Sequence, residues 1–150
     1  NLSRKINNGI LLIIDYAIDA KRYYSPQKND GTILAYKNQR AFREILHSPG
    51  EFDLTCHICS DLLIYQAKLA GFESLGLVKQ GEALLLLGLA QKLFEIQNNL
   101  KNDLSQALIR REAMLRLVDP ICLGDFKWFV FKKSNNKEFL IETKCINKSI

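Results

Sequence analysis

Eight residues near the start, Gly9-Ile10-Leu11-Leu12-Ile13-Ile14-Asp15-Tyr16, constrain the fold more than any other stretch. An aliphatic run without alternation ends there in an acid. A strand apolar on both faces belongs inside a parallel sheet, between layers of helices. In open α/β sheets, ligands bind beyond the carboxyl ends of the strands. Asp15 and Tyr16 are expected at such an end. A parallel strand also needs partners, and this one begins within ten residues of Asn1. The chain is therefore expected to be the second half of a larger unit.

The segments that follow complete an α/β pattern. Residues 18–43 have no clean period, are rich in Tyr, Lys and Gln, and carry turn signals at Pro26 and Asn29-Asp30-Gly31. An aperiodic aromatic segment of this kind reads as a functional loop. Ser48-Pro49-Gly50 is a turn, and 52–58 alternates weakly, as a short extended piece would. Ser60 or Asp61 can cap a helix to about residue 70, with Gly71 as its stop. Residues 73–78 read as a strand. A helix is expected over 81–96, whose centre, Leu84 to Ala90, is apolar all round and should be buried on most sides. A second helix is expected from Asp103, with Gln106 in capping-box spacing, to about 118, before Asp119-Pro120. The end of the chain reads as a hairpin: 126–132, a turn at Ser134-Asn135-Asn136, and 138–143.

Composition narrows the class. At 150 residues and 47% hydrophobic, one domain with a real core is expected. Of the net charge of +5, Lys132, Lys133, Lys137, Lys144 and Lys148 set against Glu138 and Glu142 supply +3. The lysines are spread along a strand-like segment, which suits a solvated edge better than a nucleic-acid patch. The longest apolar run, 84–90, is far short of the ~20 residues that span a bilayer. With no secretory signal and no need of disulfide staples, a reducing cytoplasm is the expected compartment.

Three groups of residues have chemistry to offer. Cys56-His57-Ile58-Cys59 offers three ligands at most, too few for a zinc site, and Cys122 and Cys145 add no second knuckle. It reads as ordinary thiols, with no metal. Asp53, Thr55 and His57 fall on alternate positions, so an extended backbone would project them to one side. There a carboxylate could fix a histidine tautomer or accept a proton. The alternative is a loop whose Asp and Thr bond their own backbone. Tyr23 and Tyr24 precede a proline turn and either wall a cleft or pack the loop. No glycine-rich nucleotide loop, Walker loop, HExxH or GxSxG occurs.

Taken in order, the segments resemble the C-terminal half of the MidA-like family of class I S-adenosylmethionine-dependent methyltransferases, closest in pattern to cyanobacterial members. Gly9 to Tyr16 is similar to the family strand G-x-L-L-L-I-D-Y-G. Tyr23-Tyr24-Ser25-Pro26-Gln27 with Gly31-Thr32 is similar to Y-Y-x-P-x-x…G-T. Pro49-Gly50-Glu51-Phe52-Asp53-Leu54-Thr55-Cys56-His57 is similar to P-G-x-x-D-[IL]-T-A-H. Gly71-Phe72, Gln80, Leu87-Gly88-Leu89 and 119–126 fall where the family has A-G-L, T-Q, L-G-L and P-x-x-M-G-x-x-F. Ala17 stands where the family has a glycine, and Cys59 where it often has an acid.

The resemblance implies part of a Rossmann-like methyltransferase sheet spanning 1–150. The helical pair at about 81–118 would be an insertion and the terminal antiparallel hairpin an extension. The strands would be 10–16, 73–78 and 126–132, the last lying between the other two. The cofactor implied is S-adenosylmethionine, with its glycine loop in an N-terminal half outside these residues, so the chain alone is expected to be inactive. Asp15, Asp53 and His57 are the implied catalytic residues. Tyr16, Tyr23, Tyr24, Thr55 and Gln80 are the implied substrate-binding ones. The mitochondrial member of the family is an arginine methyltransferase that assists complex I assembly. A protein acceptor is therefore implied, such as a respiratory or NDH-type subunit, with the missing half and a second copy as further partners. The rival reading from the residues is a non-enzymatic helical module that binds protein through 81–118.

Overall fold

The computed structural model describes residues 2–98 and 104–134. The expected cap at Asp103, the turn after Ser134, the strand over 138–143, Cys145 and the lysines past 134 lie outside the described residues. In chain order the elements are β1 (Asn8–Asp15), β2 (Ala17–Ile18), α1 (Ala20–Tyr23), β3 (Leu34–Lys37), β4 (Arg40–Phe42), β5 (Asp53–Thr55), β6 (Ile58–Cys59), α2 (Ser60–Leu69), β7 (Glu73–Lys79), α3 (Gln80–Leu86), α4 (Leu89–Asn98), α5 (Leu104–Val118) and β8 (Lys127–Ser134). They form two compact units, one of Asn1–Ile14 with Ala67–Ile150 and one of Asp15–Gln66.

In the first unit, aromatic and branched residues make β8 a central strand. Phe129, Val130 and Phe131 are all buried, so both faces of β8 are covered. Phe129 and Phe131 point to one face and stack, with ring centroids 6.4 Å apart and planes 7° from parallel. The strand order is β1-β8-β7, so the last strand does lie between the other two. β8 and β7 are antiparallel, from Glu73↔Lys132 to Lys79↔Lys127, with an irregularity between Ser74 and Gly76. Lys133 reaches back over the Phe72 ring, 5.2 Å from its centroid, and donates to the Ser3 carbonyl at 2.6 Å.

Coverage of β1 differs from expectation. It is an edge strand among the described residues, and Ile10, Leu12 and Ile14 remain 40%, 45% and 42% exposed. That face is therefore only partly covered.

The expected helix over 81–96 is two helices. Gly88, at φ +96°, takes a conformation that a side chain disfavours and ends the first helix after Leu86. The turn redirects the chain, and Leu85, Leu86 and Leu87 stay 47–60% exposed, not enclosed as the run suggested. α3 packs on β7 and β8, and α3, α4 and α5 pack on one another. The turn after α5 approaches α3 at backbone distance: the Gly81 N–H donates to the Gly124 carbonyl at 3.0 Å.

The second unit contains what the sequence presents as a long loop. Residues 34–42 form a hairpin, β3 against β4, closed at Lys37↔Arg40 by Asn38 and Gln39 at φ 50° and 62°. Two positive φ values are what a two-residue hairpin turn requires. β5 joins the other side of β3, giving the order β4-β3-β5 around the fully buried Ala35. A separate parallel pair, β2 with β6, has the register Ala17↔Ile58 and Ile18↔Cys59. α2 begins and ends as expected. Its first residues, however, serve the neighbouring segment: the Ser60 hydroxyl donates to the Ile18 carbonyl at 3.2 Å, and Asp61 accepts from the Ala20 N–H at 2.7 Å.

Candidate functional site

Asp15 ends β1, and the chain passes through Tyr16 directly into β2. The parallel ladder of β2 with β6 fixes what meets Tyr16. The Ile58 N–H donates to the Tyr16 carbonyl at 2.8 Å, so position 57 lies beside position 16. The Tyr16 and His57 rings meet edge to face, with centroids 6.5 Å apart and planes at 61°. Asp15 turns one carboxylate oxygen onto the N–H of Tyr16 at 2.7 Å. Its other oxygen has no partner among the described residues.

His57 is half-buried, and its backbone N–H donates to the Thr32 hydroxyl oxygen at 3.2 Å. Its pKa is lowered below the ordinary 6.5, first by burial and then by the positive charges of Lys28 and Arg22. The imidazole is therefore neutral at pH 7 and able to accept a proton.

Asp53 and Thr55 lie on one face of β5, opposite Tyr36 and Leu34 of β3. Asp53 is exposed and Thr55 half-buried. The strand ladder carries this alternation only to Thr55, because the chain leaves β5 there to enter β6. Among the described residues, no hydrogen bond joins Asp53 or Thr55 to His57. Tyr23 and Tyr24 close α1 and meet edge to face at 5.0 Å, with Tyr24 70% exposed.

Gln80 is placed differently from the other candidates, in the first unit. It is buried and its amide is fully engaged: Nε2 donates to the Leu117 and Leu123 carbonyls at 3.2 and 3.0 Å, and Oε1 accepts from the Trp128 indole at 3.2 Å. This side chain bolts the turn after α5 to β8.

His57 lines a cavity of about 210 Å³ together with Lys28, Asp30, Thr32 and Arg43 and the apolar Ile33 and Ile45. Sequence reasoning passed over Lys28 and Arg43; nothing in their spacing marks them. Thr32 was visible as part of Gly31-Thr32. Among the described residues, no group of three or more His, Cys, Asp or Glu side chains could hold a metal ion. Cys56 is exposed and Cys59 is buried, and both are free thiols. Among them, too, no helix is long and apolar enough to cross a membrane.

A mixed α/β body, with an antiparallel strand inserted in its sheet and an acid at the end of an aliphatic strand, defines a methyltransferase-like fold. The chain belongs to the family described as "Putative S-adenosyl-L-methionine-dependent methyltransferase", whose model matches residues 1–78. It is similar to a superfamily member and "likely methyl transferase" from Burkholderia thailandensis, bound to S-adenosyl-homocysteine. The identity is 27% and the TM-score 0.71, over 83% of this chain and 32% of that one. It is also similar to the native crystal structure of an uncharacterized protein of the same superfamily and organism, at 27% identity and TM-score 0.72, over 84% of this chain and 33% of that one. The chain thus spans about a third of the length of these structures. No curated protein matches it.

S-adenosylmethionine is the cofactor of the family. No glycine-rich turn follows β1. Ala17, which stands at the family's glycine position, is 6% exposed and paired with Ile58.

Proposed function

We propose that this chain is the acceptor-side, C-terminal part of an S-adenosylmethionine-dependent methyltransferase of the MidA-like kind, acting on an arginine of a protein. The observation that supports this most directly is the meeting of Tyr16 and His57 at the carboxyl end of β1, next to Asp15. The acceptor is a protein such as a respiratory or NDH-type subunit, and the site of action is the cytoplasm. The 150 residues form part of one domain, with 81–118 as a helical insertion that shapes the protein-substrate groove.

The missing partner is the cofactor-binding half. The aliphatic edge of β1 is the natural place for it to add strands, since exposed Ile10, Leu12 and Ile14 suit an interior position better than a solvated one. Alone, the chain has no complete cofactor site and is inactive. The cofactor, when bound, supplies a methyl group made electrophilic by its sulfonium. Everything else asked of this chain is placement. Orientation alone can supply ~7–11 kcal/mol of the barrier. Asp15 and Asp53 hold the guanidinium through charge-assisted hydrogen bonds. Neutral His57 takes the proton that the acceptor nitrogen loses, or relays it. Tyr16, Tyr23 and Tyr24 wall the cleft against water, and Thr55 lines it.

Asp53→Asn in the complete enzyme tests the assignment. Loss of a charge-assisted contact to the guanidinium should cost roughly tenfold or more in kcat/KM on an arginine peptide. Unchanged kcat and KM would remove Asp53 from the site.

A second reading rests on the half-exposed Leu85, Leu86 and Leu87. In it, the helices bind a partner protein and the chain performs no chemistry. Cofactor uptake by the complete gene product separates the two.

A further inference from the structure

The cavity beside His57 has the wrong charge for a guanidinium. Lys28 is half-buried in its wall, and Arg43 stands at its rim. Arg22 lines the adjoining surface, which shares Lys28 and Gln27 with the cavity. Among the described residues, neither Lys28 nor Arg22 has a carboxylate partner. Two acids are near. Asp30 pairs with Arg43 at 3.3 Å, and Asp19 caps α1 by accepting from the Arg22 N–H at 2.9 Å. The cavity lining sets Lys28 and Arg43 against Asp30, and the adjoining surface adds Lys21 and Arg22 against Asp19, so the balance is positive. Burial first, and then the charges of Lys28 and Arg22, lower the His57 pKa.

We propose that this cavity is a carboxylate site, which receives the acidic side chain of a Glu lying near the acceptor residue in a protein substrate. Its volume of about 210 Å³ is several times the ~30 Å³ share of one water, so it has room for such a side chain. The Lys28 ammonium supplies charge. The Thr32 hydroxyl, which accepts from the His57 N–H, still has its own hydrogen to donate. Ile33, Leu34 and Ile45 add apolar lining for the methylenes of Glu. That lining favours a carboxylate on an aliphatic stem over an inorganic anion. The inference rests on the protein-acceptor reading only for the molecule that carries the carboxylate.

The His57 imidazole is the reporter. Its proton titration is followed by NMR in the complete gene product with N-acetyl-Ala-Glu-Ala-amide, with the Gln counterpart, and with inorganic phosphate. The Glu peptide should raise the His57 midpoint saturably, and the Gln peptide should leave it in place. Lys28→Ala should weaken the Glu peptide roughly tenfold, the scale of one charge-assisted hydrogen bond, while Lys28→Arg retains it. Four results would overturn the site: no shift with the Glu peptide, an equal shift with the Gln peptide, no effect of Lys28→Ala, or phosphate binding tighter than the Glu peptide. The peptides contain no arginine and the assay no cofactor, so failure here and failure of the methyltransferase reading are separate results.

Discussion

At position 124 the backbone leaves no room for a side chain. An added Cβ would land on the Val118 carbonyl oxygen, against which the turn after α5 is pressed. The neighbour is backbone and cannot swing aside. Gly124→Ala should therefore cost at least the ~1–3 kcal/mol of an overpacked core, read as a lower urea midpoint. An unchanged midpoint would mean that the turn is looser than described. The other residue-scale prediction concerns His57. Its folded-state pKa lies below the unfolded 6.5, because burial and then Lys28 and Arg22 disfavour the cation. The folded state thus binds fewer protons than the unfolded one. This contribution to stability is complete above pH 6.5 and is lost as pH falls through the folded value. The His57 midpoint should move up in Lys28→Ala, and a wild-type midpoint at or above 6.5 would contradict the account.

Elements were legible where an apolar run met clear stops. The strands now seen as β1, β7 and β8, and the helices α2 and α5, were readable from such runs, from Gly71 and from Asp119-Pro120. The β3–β4 hairpin was not, since its strands hold only four and three residues and its turn is Asn38-Gln39, without a glycine. Asn tolerates the left-handed region and Gln does so less readily. The hairpin therefore forms through pairing with β5 and burial of Ala35, against a local preference. Gln39→Gly should relieve that strain and stabilise the protein by about 1 kcal/mol, seen as a higher urea midpoint. A fall in stability would show that the Gln39 side chain contributes more than its backbone costs. Gly88 was in plain view, yet seven apolar residues around it suggested one continuous helix. Its positive φ decided otherwise.

At the scale of the molecule, Asp15, Tyr16 and His57 could be picked out as motif residues, but their apposition depends on a two-residue parallel ladder that no periodicity announces. The basic cavity was illegible for a related reason, because Lys28, Thr32 and Arg43 meet only once 26–45 has folded back on itself. Gln80, a polar residue at a motif position, is buried with its amide bonded to the Leu117 and Leu123 carbonyls and the Trp128 indole, which its spacing does not announce. The order β1-β8-β7 leaves aliphatic β1 at the edge among the described residues, where its sequence pattern predicts an interior strand. The central claim is that this chain completes a cofactor-dependent methyltransferase whose other half carries the cofactor loop. The direct test is a calorimetric titration of the complete gene product with S-adenosylmethionine. Saturable uptake is predicted, and a flat titration of the folded protein would contradict the claim.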